Sequence, residues 1–169
     1  SADHLEFVSD AGIEALGAAG VVPVLCPVVP LFLRIDKEAP ARTMIDRGLP
    51  VAISTDFNPG SCYLQSLPEA LTWAALRYRM SAGEALTAAT LNPACSLGRG
   101  DRLGTLEAGK QGDVVVLDVP NHRHLVYELG RNPYYWQGPP KIAALRFPAY
   151  PSNEQANLAL IEGDVDWAG

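Results

Sequence analysis

Two stretches, "VVPVLC" at residues 21–26 and "LPVAI" at residues 49–53, are apolar throughout rather than alternating with polar residues. A strand with one face in water alternates. A strand without alternation is buried on both faces, as in parallel sheets covered by helices on each side. Between and after these runs the chain reads as helix. Ser9 and Asp10 form a helix start, Ile13, Leu16 and Ala19 recur at helical spacing, and Gly20 stops the helix. "ARTMIDRG" closes at Gly48. "SLPEALTWAALRYRM" places Leu67, Leu71, Ala74 or Ala75 and Tyr78 on one face, with Pro68 in its first turn. "DHLEFV" is a candidate first strand. Three strand–helix units in the first 80 residues predict parallel strands joined by right-handed crossovers, which fits part of a barrel or half of a doubly wound sheet. No GxGxxG follows any strand, so a dinucleotide site lacks its fingerprint.

Further along, Ser81 and Glu84 form a capping box, and Asn92-Pro93 is expected to break the helix that follows it, with "ACSLG" adding a short turn. "PVVPLFLRIDKEAP" reads as a loop. Past residue 100 the style changes. A Gly-rich stretch leads into the β-branched run 114–117, expected as a small β element, and proline density after Tyr127 predicts an irregular tail. The expected division is 1–100 for strand–helix units, 101–132 for a β segment and 133–169 for the tail. The chain starts at Ser1, in what reads as the middle of an element, and is expected to be a segment of a longer protein or a processed one.

Composition excludes several classes. The chain has 169 residues, 48% of them apolar, with a net charge of -6. Its Lys and Arg residues are scattered, so no basic face for nucleic acid is expected. No run approaches 18 apolar residues, so no membrane span is expected. Acids stand in the opening "SADHLEF" where a secretory signal would be basic. Cys26, Cys62 and Cys95 form no CxxC pair, which fits a reduced, cytoplasmic protein with cysteines as small apolar fillers.

The second apolar run ends on "STDFNPGS". Asp56 can cap the turn that follows it. It also stands at the carboxyl end of a strand, where parallel α/β folds place their sites. Asn58, Gly60 and Ser61 supply donors, with Gly60 permitting close approach of backbone to a ligand. His4 lies at the mouth of the first strand, within reach of Asp56 if the strands curve round. His122 and His124 flank Arg123 and read as solvated loop residues, although a His-x-His pair on a strand can bind metal. Trp73, Tyr78, Trp136 and the Tyr134-Tyr135 pair read as core or interface. One Asp and one His do not complete a zinc site, which takes three protein ligands and an open position.

Four segments, "SADHLE", "STDFNPGS", "ALTAATLNPACSLG" and "LGTLEAGKQGDVVVLD", resemble in order and spacing the amidohydrolase superfamily. Within it they resemble the C-terminal part of the imidazolonepropionases, over residues 1 to about 130. "TDFNPGS" after "SADHL" is the specific part, and the last segment is general to the superfamily. The resemblance implies a (β/α)₈ barrel with a flanking β-sandwich, in which "VVPVLC" is strand seven and "VAISTD" strand eight. It implies hydrolysis of the cyclic amide C–N bond of imidazolone propanoate to formimino-glutamate with one divalent metal, zinc or iron. Asp56 matches the family's metal-binding aspartate, His4 its active-site histidine, and Asn58, Gly60 and Ser61 its substrate loop. The family's His-x-His from strand one and its His from strand five do not lie in this chain.

The implied partner is a small-molecule substrate, with a homodimer for the full-length protein. Gly112 stands where the family often has Ala. The loop "CPVVPLFLRIDKEAP" and the tail depart from its pattern. Two other readings compete: an amidohydrolase that deaminates a cyclic amidine, and a truncated, non-catalytic module. The segment by itself is expected to be a poor enzyme, since half a barrel leaves sheet edges open.

Overall fold

The structure is a computed structural model that describes residues 1–130, 144–146 and 161–162. It comprises two compact units, Ser1–Leu129 and Gly130–Gly169. In the first, β1 (Ala2–Asp3), β2 (Pro23–Leu25) and β3 (Ala52–Ile53) form a parallel sheet in the order β1-β2-β3. Ala2 pairs with Pro23, Val24 with Ala52 and Leu25 with Ile53. The parallel arrangement follows from the helices between the strands: α1 (Asp10–Ala18) joins β1 to β2, and α2 (Val29–Leu33) and α3 (Ala41–Asp46) join β2 to β3. The strands are brief, but the ladder runs on past them. The His4 N–H donates to the Val24 carbonyl at 2.9 Å and the Ser54 N–H to the Leu25 carbonyl at 3.0 Å.

Both helix-to-strand returns use one device. Gly20 and Gly48 take φ of 63° and 81°, and the next residues, Val21 and Leu49, donate back to the Leu16 and Met44 carbonyls at 3.0 Å. Only glycine adopts that conformation without strain, so each helix ends there and its last carbonyls are satisfied. Helix α1 is started by the Ser9 hydroxyl, which accepts from the Gly12 N–H at 3.1 Å.

After β3 come α4 (Leu67–Tyr78), α5 (Ala82–Ala89) and α6 (Leu91–Ser96), then α7 (His122–Tyr127), which packs on α4 and α5. Strands β4 (Glu128–Gly130) and β5 (Ala144–Arg146) follow. One apolar core joins sheet and helices through Ile13, Leu25, Met44, Val51, Leu71 and Val126, each at most 2% exposed. Burying side chains of this size contributes about 1.5–3 kcal/mol apiece. Arg42 ties α3 to α5 by a two-pronged contact with Glu84, at 2.9 and 3.1 Å, and Glu84 also closes the Ser81 capping box.

The structure departs from the sequence expectations at several places. The first strand stops at Asp3 rather than running through "DHLEFV", because His4 and Leu5 take φ of 68° and 69° and turn the chain. The "PVVPLFLRIDKEAP" stretch holds the short helix α2 instead of being loop throughout. Helix α5 breaks at Thr90 (φ −125°, ψ −80°), two residues before Asn92-Pro93, which lies inside α6. Proline is tolerated there, in a first turn whose N–H groups need no intrahelical partner. Leu67 sits at the rim of α4 rather than on its buried face, which Ala70, Leu71, Ala74, Ala75 and Tyr78 form. Cys95 is exposed, whereas Cys26 and Cys62 are the apolar fillers expected. Finally, residues 114–117 form no strand: no described residue pairs with them, and Val115 and Val116 are 80% and 91% exposed. A strand exists only with a partner ladder, whatever its side-chain propensity. The proline-rich stretch 131–143, most of the tail, Trp136, Tyr134 and Tyr135 lie outside the described residues.

Candidate active site

All three parallel strands present their carboxyl ends on one side, where His4, Cys26 and residues 54–56 emerge. Here His4 and Asp56 meet. The His4 Nε2 stands 3.9 Å from the Asp56 Oδ2, although the two residues belong to the first and third strands. Both take left-handed backbone, with φ of 68° at His4 and 49° at Asp56. Non-glycine residues pay about 1–2 kcal/mol for that conformation, and such strain collects where surrounding structure enforces it.

The loop after β3 is built around Asn58. Its Oδ1 accepts from the N–H groups of Gly60 and Ser61, both at 2.8 Å. Its Nδ2 donates to the Asp56 carbonyl at 2.7 Å and to the Ser61 Oγ at 2.6 Å. The Ser61 hydroxyl, held from that side, donates to the Asp56 Oδ2 at 2.9 Å. The Asp56 N–H donates to the Ser54 Oγ at 3.2 Å. The turn closes through the Asn58 N–H and the Cys62 carbonyl at 2.9 Å, and the fully buried Cys62 seats it in a small cluster with Cys26, Val28 and Val29. Thus the structure brings Asp56, Asn58, Gly60 and Ser61 together, but in this loop the expected substrate donors face one another. The side chain of Asn58 occupies the amide donors of Gly60 and Ser61 and orients the carboxylate of Asp56.

Sequence reading missed Glu6. It is 6% exposed, its Oε1 accepts no hydrogen bond among the described residues, and the His4 Nδ1 stands 4.0 Å from that oxygen. His4 therefore lies between two carboxylates. Glu6 falls in "DHLEFV", which reads as a strand, and the chain turns at His4 and Leu5 just before it. Burial first, then the charges of Asp56, Glu6 and Asp3, push the Cys26 thiol up to about 12. Burial and the Glu6 charge likewise raise the Tyr78 phenol, whose hydroxyl has no hydrogen-bond partner among the described residues.

His122 and His124 do not join this site. They lie on α7, where residues two apart point about 200° apart around the helix axis, so the pair cannot chelate one ion. No group of three His, Cys, Asp or Glu among the described residues could hold a metal. As a donor set, Asp56 fits a metal as one oxygen ligand: its Oδ2 is engaged by Ser61, and no described group donates to its Oδ1. No described helix is long and apolar enough to cross a membrane.

The family called Amidohydrolase family matches residues 4–151. An imidazolonepropionase of Caldanaerobacter subterraneus subsp. tengcongensis is 48% identical over 132 residues, covering 78% of this chain and 32% of that protein. The imidazolonepropionase of Porphyromonas gingivalis is likewise 48% identical over 132 residues, with 31% of its length covered. The chain thus spans about a third of the curated relatives it matches. Among solved structures, an adenosine deaminase from Xanthomonas campestris with bound zinc superposes with a TM-score of 0.69 at 29% identity, covering 74% of this chain and 32% of that one.

Proposed function

This chain belongs to the amidohydrolase family, so its parallel sheet is part of a (β/α)₈ barrel, and on that premise we propose that it supplies one wall of the active site of an imidazolonepropionase. The substrate is imidazolone propanoate, the reaction is hydrolysis of its cyclic amide C–N bond, and the product is formimino-glutamate. The observation that supports this reading is the approach of His4 Nε2 to Asp56 Oδ2, 3.9 Å apart at the carboxyl ends of the strands. Residues 1–100 would supply the last strand–helix units of the barrel and residues 101–132 part of its flanking β layer.

One divalent metal, zinc or iron, would be held by Asp56 together with donors beyond the described residues. Bound there, it would act as a Lewis acid and lower the pKa of water to about 7. The chain's own residues do the rest. Asp56 accepts a proton from the attacking water and delivers it to the ring nitrogen as the C–N bond breaks, which makes the nitrogen a neutral leaving group. His4 presents Nε2 to the carbonyl oxygen, where negative charge develops as water adds. Ser61 and Asn58 hold the Asp56 carboxylate in one orientation, so the proton carrier is positioned before substrate arrives.

Asp56→Asn in the full protein should lose both bound metal and nearly all turnover. His4→Ala should keep the metal while lowering turnover. Unchanged turnover in Asp56→Asn would overturn the assignment. A second reading, deamination of a cyclic amidine, is supported by the likeness to a deaminase structure. Ammonia released from an amidine substrate, with no opening of imidazolone propanoate, would favour it.

A further inference from the structure

Glu6 has no part in the chemistry above, yet the fold buries it beside that chemistry. Its side chain is 8% exposed and its Oε1 accepts no hydrogen bond among the described residues. A carboxylate in that position is poorly solvated unless a partner compensates it. The nitrogen facing it is His4 Nδ1, at 4.0 Å. On its other edge the same ring presents Nε2 to Asp56, at 3.9 Å. Backbone strain produces this arrangement. His4 and Leu5 are consecutive left-handed residues, with φ of 68° and 69°. Left-handed backbone is strained for non-glycine residues, so the surrounding structure enforces the turn that leads into Glu6.

We propose that Glu6 is the positioning residue for His4: its carboxylate takes the Nδ1–H, which fixes the ring and turns Nε2 toward Asp56 and the reacting carbonyl. The proposal rests on the hydrolase reading for its catalytic consequence, but the contact itself does not. A carboxylate behind a histidine selects which ring nitrogen carries the proton and stops the ring from rotating away. The 4.0 Å gap is about 1 Å longer than a hydrogen bond. The His4 side chain is 44% exposed, and catalytic hydrogen bonds in ligand-free sites commonly tighten only when substrate binds.

The test uses the full protein carrying this chain. Glu6→Gln keeps the size and one acceptor oxygen and removes the charge, whereas Glu6→Leu removes the acceptor as well. With Glu6 in the positioning role, kcat falls about 10–100-fold in both variants while KM and metal content hold. The side-chain ¹⁵N spectrum, with the His4 signal assigned by its loss in His4→Ala, shows a protonated, hydrogen-bonded Nδ1 in the native protein with a substrate analogue bound. That signal is lost in Glu6→Leu. A merely structural acid gives the opposite pattern, with kcat unchanged in Glu6→Gln, and that result would overturn the proposal. So would a native spectrum with no proton on Nδ1. Should Glu6→Leu fail to fold, the Gln variant and the native spectrum decide. Should the native protein open no imidazolone ring, the hydrolase reading falls, and the spectrum still decides whether Glu6 holds His4.

Discussion

Asn58→Ala is the sharpest probe of how the site loop is built. The substitution removes four hydrogen bonds at once: two accepted by Oδ1 from Gly60 and Ser61, and two donated by Nδ2 to Asp56 and Ser61. Each contributes a net 0.5–1.5 kcal/mol, so about 2–6 kcal/mol is at stake. Gly60 is exposed, and water takes over its N–H, which trims the expected loss to about 1.5–4.5 kcal/mol for the other three. The loss should be local, since Cys62 still anchors the far end of the turn in its apolar cluster. Amide exchange at Gly60 and Ser61 should therefore quicken about 12- to 1,600-fold, at 1.4 kcal/mol per decade, with little change elsewhere. Turnover of the full protein should fall because the Asp56 carboxylate loses its orientation. Asn58→Asp separates the two halves of the network. It keeps both acceptor bonds but sets a charge against the Asp56 carbonyl and draws the Ser61 hydroxyl away from Asp56. Its exchange rates should stay near native while its turnover falls. Native exchange rates at Gly60 and Ser61 in Asn58→Ala would refute the account of the loop.

Two further outcomes follow from the charges. Contact with Arg42, with help from the Ser81 donors, holds Glu84 at about 2 in the folded chain against an ordinary 4.5. A lowered folded value means that the stabilisation is complete above about 4.5 and is lost as pH falls toward 2. Thermal melts across that window should show a loss of about 1 kcal/mol, since the Glu84 side chain is 34% exposed and solvent screens the pair. Glu84→Gln should flatten the dependence, and an identical acid profile in that variant would show that Glu84 does not cause it. The Cys26 thiol, at about 12 and buried, should resist alkylation at pH 8, as should buried Cys62, whereas exposed Cys95 reacts. Mass spectrometry after brief labelling checks this, and modification of Cys26 before Cys95 would contradict it.

The sequence by itself determined what short-range physics controls. Uniformly apolar runs identify strands buried on both faces, so β2 and β3 and their parallel pairing were legible. Ser9, Ser66 and Ser81 cap their helices because a hydroxyl before a helix satisfies its free N–H groups wherever the fold places it. The Asp-Phe-Asn-Pro-Gly-Ser turn was legible as polar and tight for the same reason. Local signals misled where the outcome depended on a partner. The run 114–117 has the side chains of a strand but no ladder among the described residues, and Asn92-Pro93 reads as a break although a helix's first turn accommodates it. His122 and His124 read as loop residues, and packing against α4 and α5 makes them helical.

Only the tertiary structure decided the geometry of the site. Parallel strands bring His4 to Asp56 because both leave the sheet at its carboxyl end, and no sequence spacing encodes that distance. Asn58 reads as a substrate donor until the fold shows its amide spent on Gly60, Ser61 and Asp56. Glu6 carries no signal in the sequence, and only the fold shows it buried beside His4. Propensity and capping act over a few residues and are written in the chain. Burial, strain and the approach of distant charges exist only once the chain has closed on itself.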